Sequence, residues 1–86
     1  MKVALKCFAT LADPDTCDFK DGTAYELEDG QTVGHLIQLA RINDEDVSII
    51  FVNSRVVDLD TVLSEGDRVA LTPATAGLKK PSTFAL

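Results

Sequence analysis

The residues of this 86-residue chain that could take part in chemistry are few. The single histidine, His35, has no second ligand or nucleophile at a useful spacing, and the acidic run 44–46 lacks the ligand spacing of a calcium loop. Two cysteines, Cys7 and Cys17, are too few for the four-cysteine cluster of a ferredoxin. None of these residues forms a catalytic constellation, so we expect a protein that is not itself an enzyme and that binds no metal or cofactor.

The stretch from Thr61 to Leu78 carries a different signal. Residues 68–72 alternate as in a half-buried strand, and Pro73 ends that strand because it has no N–H to donate. Residues 74–77, Ala-Thr-Ala-Gly, are small and leave nothing large to bury. A final strand that leads directly into a thin tail predicts a segment that reaches into another protein. The rest of the chain is then the body that presents this tail.

Hydrophobic patterns predict the elements of that body. Strands are predicted at residues 2–11, 23–28, 47–52, 55–57 and 68–72, from alternating or β-branched residues. Thr32 is a suitable N-cap for a helix whose apolar stripe comprises Val33, Leu36, Ile37 and Ala40. The order strand–strand–helix–strand–strand–strand, without repeats or linkers, predicts one α+β domain with a sheet packed on one main helix.

Strand alternation also assigns the two faces of the sheet. The predicted core comprises Val3, Leu5, Leu36, Ile37, Ile49, Phe51, Val69 and Leu71. The opposite face then carries Phe8, Ile50, Val52 and Ala70. We predict that these four residues form an apolar patch, ringed by acidic residues and continuous with the tail, on which a partner docks. Scattered surface hydrophobes, which are common, are the alternative.

The formal net charge of −6 limits the classes of partner. Residues 1–77 contain six Lys or Arg and fourteen Asp or Glu, which gives −8, and Lys79 and Lys80 return +2. An acidic body argues against nucleic acid, which needs a basic patch, and favours a partner with a basic surface. A small acidic domain that is simply soluble explains the same charge.

The cysteines and the start of the chain predict a cytoplasmic protein without a membrane segment. No basic segment followed by an apolar run opens the chain, and no stretch approaches the ~18 apolar residues of a membrane span. Two cysteines do not make a disulfide framework. We expect Cys7 to be a small buried hydrophobe in the first strand and Cys17 an unreactive thiol in an acidic loop. Both are therefore predicted to be reduced and not needed for folding.

Four segments, taken in order, resemble one protein family. They are K-V-x-L-K-x-F-A-T-L from Lys2, T-V-x-x-L-I from Thr32, F-V-N-S-R from Phe51 and L-S-E-G-D-R-V-A-L-T-P-A-T-A-G from Leu63. No single segment is specific, but the ordered set over residues 2–77 resembles the MoaD/ThiS family of small sulfur carriers. That family includes the molybdopterin-synthase small subunit and the thiamine-pathway carrier. The resemblance implies the ubiquitin-like β-grasp fold, a mixed sheet wrapped on one helix.

The resemblance also implies a function for the tail. In that family an ATP-dependent, E1-like activating enzyme adenylates the carrier's C-terminal carboxylate, which becomes a thiocarboxylate and gives up its sulfur inside a synthase subunit. By this resemblance we expect the chain to be a sulfur carrier, monomeric or hetero-oligomeric, in molybdopterin, tungstopterin or thiamine biosynthesis. The tail and thiocarboxylate region would be Pro73, Ala74, Thr75, Ala76, Gly77 and Leu78.

The C-terminus departs from the family pattern, which ends in Gly-Gly. Leu78 stands where the last glycine is expected, and eight more residues follow. We therefore predict a β-grasp domain with its tail at 1–77 and a disordered extension at 78–86. Three explanations stay open. A protease trims the extension, the extension is not native, or the chain is a ubiquitin-like binding module that docks on a partner and carries no sulfur.

Overall fold

The structure, a computed structural model, describes residues 1–12, 16–18, 20 and 22–73. Its strands are β1 (Lys2–Cys7), β2 (Thr23–Glu26), β3 (Val47–Val52), β4 (Arg55–Val57) and β5 (Arg68–Pro73). They form one five-stranded sheet in the order β2-β1-β5-β3-β4. β1 and β5 run parallel, and the other neighbours run antiparallel. One α-helix, α1 (Val33–Leu39), and two 3₁₀ helices, Ala9–Leu11 and Asp44–Asp46, complete the described elements, which confirms the predicted α+β, β-grasp architecture.

Helix α1 is seven residues long, so its stability comes from packing and capping rather than from intrinsic propensity. Thr32 Oγ1 accepts a hydrogen bond from His35 N at 3.4 Å, and Thr32 N donates to His35 Nδ1 at 3.0 Å. This capping box satisfies backbone donors at the N-terminus of the helix. Gly34 N donates to Leu59 O at 3.0 Å, and a Cβ at Gly34 would lie 3.4 Å from that oxygen. The glycine therefore allows the first turn to approach the 58–61 segment closely.

The core lies between α1 and one face of the sheet. Val33, Leu36 and Ile37 supply the helix side of this core, as the apolar stripe predicted. The fully buried side chains include Val3, Leu5, Leu36, Ile37, Val69 and Leu71, all of which were predicted to be there. Ile49 and Phe51, the remaining predicted core residues, are not buried.

The predicted register of β3 is wrong by one residue. Ile50 and Val52 are 7% and 8% exposed and belong to the core, whereas Ile49 is 37% exposed and Phe51 is half-buried on the other face. The cause is a register shift between Val47 and Ile49, so that Val47 and Ile50, three residues apart, both face the core. Thr72 Oγ1 holds this irregularity by accepting from Ile49 N and donating to Ile49 O, each at 3.1 Å. A one-residue slip exchanges the two faces of a strand.

The prediction of two reduced cysteines is also wrong. Cys7, at the end of β1, and Cys17 form a disulfide across a Cα–Cα distance of 5.4 Å, and both are fully buried. Two hydrogen bonds bring the Cys17 segment back to the sheet. Tyr25 OH donates to Thr16 O at 2.5 Å, and Asp18 N donates to the Thr23 hydroxyl at 3.1 Å. Cys17 is therefore part of the core and not a thiol in a solvated acidic loop.

Candidate functional site

The predicted tail starts from an interior strand of the sheet. β5 lies between β1 and β3 and pairs with both. Near its end, Phe8 N donates to Leu71 O at 3.1 Å, and Pro73 lies opposite Val47. Pairing on both sides fixes the position from which the tail leaves the body. Residues 74–86, which include Ala74 to Leu78 of the predicted tail region and the whole predicted extension, lie outside the described residues.

The sheet face opposite α1 carries an open concavity of about 660 Å³. The pairing register shows which residues are adjacent on this face. Ala70 lies opposite both Lys6 in β1 and Phe51 in β3. Ala4 lies opposite Arg68, and Phe51 lies opposite Val56 in β4. We call this surface the outer face; its concavity is lined by residues that include Ala4, Lys6, Phe8, Phe51, Arg68 and Ala70.

The outer face contains two of the four predicted docking residues. Phe8 is 39% exposed and Ala70 is half-buried, and both line the concavity. Ile50 and Val52 do not belong to this surface, because the irregularity in β3 turns them into the core. Phe51, which was predicted for the core, takes their place on the outer face. Whether a partner docks on this surface stays a prediction.

Turn geometry positions two of the residues that line the concavity, Lys6 in β1 and Phe8 directly after it. Ala9 has a φ of 54°, so the chain bends sharply after Phe8, which stays on the outer face. Gly22, with a φ of 77°, packs beside the stem of Lys6, and a Cβ at Gly22 would lie 3.4 Å from Lys6 Cγ. The stem of Lys6 therefore lies close to the Gly22 backbone at one side of the concavity.

The predicted ring of acidic residues is absent from the described lining of the concavity. Its charged residues are Lys6 and Arg68, both basic. Asp67, next to Arg68, is engaged in a turn, where its Oδ1 accepts from Asn53 Nδ2 at 2.9 Å and its Oδ2 accepts from Ser64 N at 2.8 Å. Glu26 pairs with the Met1 ammonium group at 3.0 Å and raises the pKa of that amino group. Alternation along the first strand places Lys6 on the same face as Phe8, which indicates a basic residue in this surface. The prediction of an acidic surround relied on the net charge of the chain instead.

A second cleft of about 560 Å³ runs beside α1. Its lining includes His35, Ile42, Asp44, Leu59 and Asp60. His35 is exposed, and its Nδ1 lies in the capping box, so the structure gives it a helix-capping role. Over the described part of the chain, no group of three or more His, Cys, Asp or Glu side chains is arranged to hold a metal ion. The cleft thus brings together acidic and apolar groups without a nucleophile or a ligand set.

One further result concerns membranes. Among residues 1–12, 16–18, 20 and 22–73, no helix has the length and apolar character needed to span a bilayer.

Comparisons with known proteins agree with this geometry. The sequence model of the ThiS family matches residues 10–77. The solved structure of a candidate subunit 1 of molybdopterin converting factor from Pyrococcus furiosus is similar, with 30% identity and a TM-score of 0.67. That alignment covers 85% of this chain and 97% of the other. The crystal structure of SAMP1 from Haloferax volcanii has a TM-score of 0.67 at 20% identity, over 90% and 99% of the two chains, and shows a likeness of fold alone. No curated protein matches the chain significantly.

Proposed function

The chain belongs to the ThiS family of ubiquitin-like sulfur carriers, and from this premise we propose that it carries sulfur as a thiocarboxylate at the end of its tail. Small carriers of this family are generally non-catalytic, so the chemistry needs partner enzymes. The observation that carries the proposal is the position of Pro73. It ends β5, a strand paired on both sides, and directly precedes the small residues with which the family match ends at Gly77.

The proposed chemistry asks little of the carrier itself. Its terminal carboxylate attacks the α-phosphate of ATP in the activating enzyme, which releases pyrophosphate and forms an acyl adenylate. A sulfide equivalent from a donor protein then displaces AMP and leaves the thiocarboxylate. The carrier must supply a free carboxylate and a backbone narrow enough to enter an active site. Residues 74–77 meet the second requirement, because none has a side chain larger than that of threonine.

We propose that residues 78–86 are removed before activation. Leu78 stands where the family has its last glycine. Cleavage after Gly77 would place the carboxylate on a residue without a side chain. Cleavage after Leu78 would place a branched side chain beside the reacting group. The first product suits a narrow channel better, so Gly77 is the expected terminus of the active carrier.

The proposed partners are an E1-like, ATP-dependent activating enzyme and a sulfur-accepting synthase subunit. The 30% identity to a candidate subunit 1 of molybdopterin converting factor supports a pterin pathway, for molybdenum or tungsten, over thiamine biosynthesis. Because activation consumes ATP, we place the reaction in the cytoplasm. The carrier would act there as a monomer that forms a hetero-oligomer with each enzyme in turn.

One observation favours a second function. A bulky residue, Leu78, replaces the final glycine of the family pattern, as expected for a ubiquitin-like module that binds partners through its body and performs no tail chemistry. Such a module would use the same fold and would need no protease.

The exchange of pyrophosphate into ATP by the activating enzyme separates the two functions, because exchange requires a carrier carboxylate that becomes adenylated. We expect exchange with a chain that ends at Gly77, weaker exchange with one that ends at Leu78, and none with the full chain. A Gly77-ended chain with an amidated terminus is the matched control and should support no exchange. If the Gly77-ended chain binds the enzyme but never supports exchange, the protein is a binding module.

A further inference from the structure

The tail leaves the sheet beside the acidic run 44–46. Pro73, the last residue of β5, lies opposite Val47, the first residue of β3, and the 3₁₀ helix Asp44–Asp46 directly precedes Val47. Opposed Cα atoms in antiparallel strands are about 5.5 Å apart, and three residues span at most about 11 Å. The Cα atom of Asp44 therefore lies within about 17 Å of that of Pro73, however the acidic run is oriented.

The cleft beside α1 opens next to this acidic run, and its rim is acidic. Asp44 and Asp60 line the cleft, and both are exposed, as are the other residues of the run 44–46. Among the residues that the structure describes, no lysine or arginine forms an ion pair with these carboxylates. Their charge is therefore available to a basic segment that approaches the cleft.

The floor of the cleft is apolar. Ile42 and Leu59, which both line it, are half-buried and pack against the core. Each leaves part of its apolar surface uncovered in a concavity of about 560 Å³, which is within the size range of binding pockets. A segment that complements this cleft is basic where it crosses the rim and apolar where it reaches the floor.

Residues 78–86 of this chain have that composition. Lys79 and Lys80 are the only charged residues among them, and Phe84 follows four residues after Lys80. The concavity on the outer face is a poor alternative for this segment, because both charged residues of its described lining are basic and would repel two lysines. Charge therefore favours the cleft beside α1.

The segment is also long enough to reach this cleft. Lys79 lies six residues beyond Pro73, and six extended residues span up to about 20 Å. This reach exceeds the limit of about 17 Å between Pro73 and Asp44. Phe84 lies five residues beyond Lys79, so it can extend from the rim to the floor at Leu59.

We propose that residues 78–86 fold back onto the cleft beside α1, where Lys79 and Lys80 bind the acidic rim and Phe84 covers the apolar floor. The inference rests on the proposed function, since it gives the extension a task before trimming removes it. Bound in this way, the extension holds residues 74–77 close to the body and keeps the tail out of an enzyme's active site. Trimming after Gly77 separates the extension from the carrier and releases the tail.

The test compares the amide chemical shifts of the full chain with those of the chain that ends at Gly77, at low salt. We expect shift differences at residues 42–46 and 59–60, which line or adjoin the cleft, and none on the outer face. Exposed ion pairs weaken as salt screens them, so the differences should shrink when salt is added.

A charge exchange identifies the groups that bind. Lys79→Glu/Lys80→Glu should lower the ratio of bound to free extension at least about tenfold, because it turns attraction into repulsion. Asp44→Lys/Asp60→Lys should do the same, and the combination of both double variants should restore the shift differences. The extension variant changes no residue of the described fold, so it keeps the test valid if the body variant unfolds.

The matched control is Lys2→Glu/Arg55→Glu, which changes the net charge as much as the extension variant does. Both positions are exposed and lie outside the lining of the cleft, so the ratio of bound to free extension should stay within about twofold. Each other outcome overturns the proposal. Differences confined to the neighbours of Pro73 mean that the extension does not bind the body, and differences on the outer face mean that it binds there. Differences that grow with protein concentration mean that it binds a second copy.

Binding to the activating enzyme tests the consequence for the tail. An extension bound for about nine-tenths of the time weakens the apparent affinity about tenfold, because only the open fraction binds the enzyme. The full chain should therefore bind about tenfold more weakly than the Gly77-ended chain, and Lys79→Glu/Lys80→Glu should recover the affinity to within about twofold. An affinity that stays low in this variant refutes the withholding of the tail.

The two claims fail in different ways. Shift differences at the cleft, together with a Gly77-ended chain that never supports pyrophosphate exchange, refute the proposed function and leave the binding of the extension intact. Pyrophosphate exchange with the Gly77-ended chain, without shift differences in the full chain, refutes this inference alone.

Discussion

Removal of the Cys7–Cys17 disulfide should destabilise the protein markedly. The bridge joins residues with a sequence separation of 10, and the chain-entropy estimate for a loop of that length is about 3 kcal/mol at 25 °C. For a domain of this size each kcal/mol lowers the melting temperature by about 4–8 °C, so reduction should lower it by about 12–24 °C. A domain with a stability of about 5–15 kcal/mol would remain folded at room temperature after that loss.

The assay is urea denaturation with and without a phosphine reductant, together with the variant Cys7→Ala/Cys17→Ala. Alanine is preferable to serine because both positions are fully buried and a hydroxyl there would need a partner. The reduced protein and the alanine variant should show similar losses, and reductant should not affect the alanine variant. Two free thiols in protein unfolded without reductant, or a loss below about 0.5 kcal/mol on reduction, would refute the assignment of the bridge.

Three further predictions concern packing and register, and urea denaturation measures each. Leu36→Ala should lower the free energy of unfolding by about 2–5 kcal/mol because the Leu36 side chain is fully buried. Leu39→Ala, in the same helix but at a position that is 51% exposed, should lower it by less than about 1 kcal/mol. Equal losses would contradict the assigned helix face. Ile50→Asp should lower the free energy of unfolding by more than about 3 kcal/mol because it buries a charge, and Val56→Asp, on the exposed edge strand, by only about 1 kcal/mol. The register predicted from the sequence, which puts Ile50 on the outer face, would instead give Ile50→Asp a loss of no more than about 1 kcal/mol. Thr72→Val should lower the free energy of unfolding by about 1 kcal/mol, because it removes the hydroxyl that bonds Ile49 at the irregularity in β3. No loss would mean that the backbone alone sets the register.

The sequence predicts those elements whose patterns have a single interpretation. In β1, Val3 and Leu5 alternate with polar or small residues, and in α1 the apolar stripe occupies one side, so both faces follow from local periodicity. β3 is different because both phases of V-S-I-I-F-V contain large apolar residues. In the structure the Thr72 hydroxyl, which belongs to another strand, bonds both Ile49 N and Ile49 O at the irregularity. Periodicity within β3 cannot predict a contact with another strand.

The disulfide and the charge of the outer face were missed for similar reasons. The number of cysteines says nothing of their distance, which is set by contacts such as the hydrogen bond from Tyr25 to Thr16. Net charge is a sum over the whole chain and does not say on which face of the sheet each charge lies. Alternation along β1 places Lys2, Ala4 and Lys6 on one face, and the parallel pairing of β1 with β5 adds Arg68 to the same face.

The central claim is that this protein carries sulfur on a tail that ends at Gly77, and intact-mass measurement tests it most directly. The full chain and a chain that ends at Gly77 are each incubated with the activating enzyme, ATP and a sulfide source. We predict that the Gly77-ended chain gains the mass difference of one sulfur replacing one oxygen, only when ATP is present, and that the full chain does so only after losing residues 78–86. A Gly77-ended chain that binds the active enzyme and keeps its original mass would contradict the account.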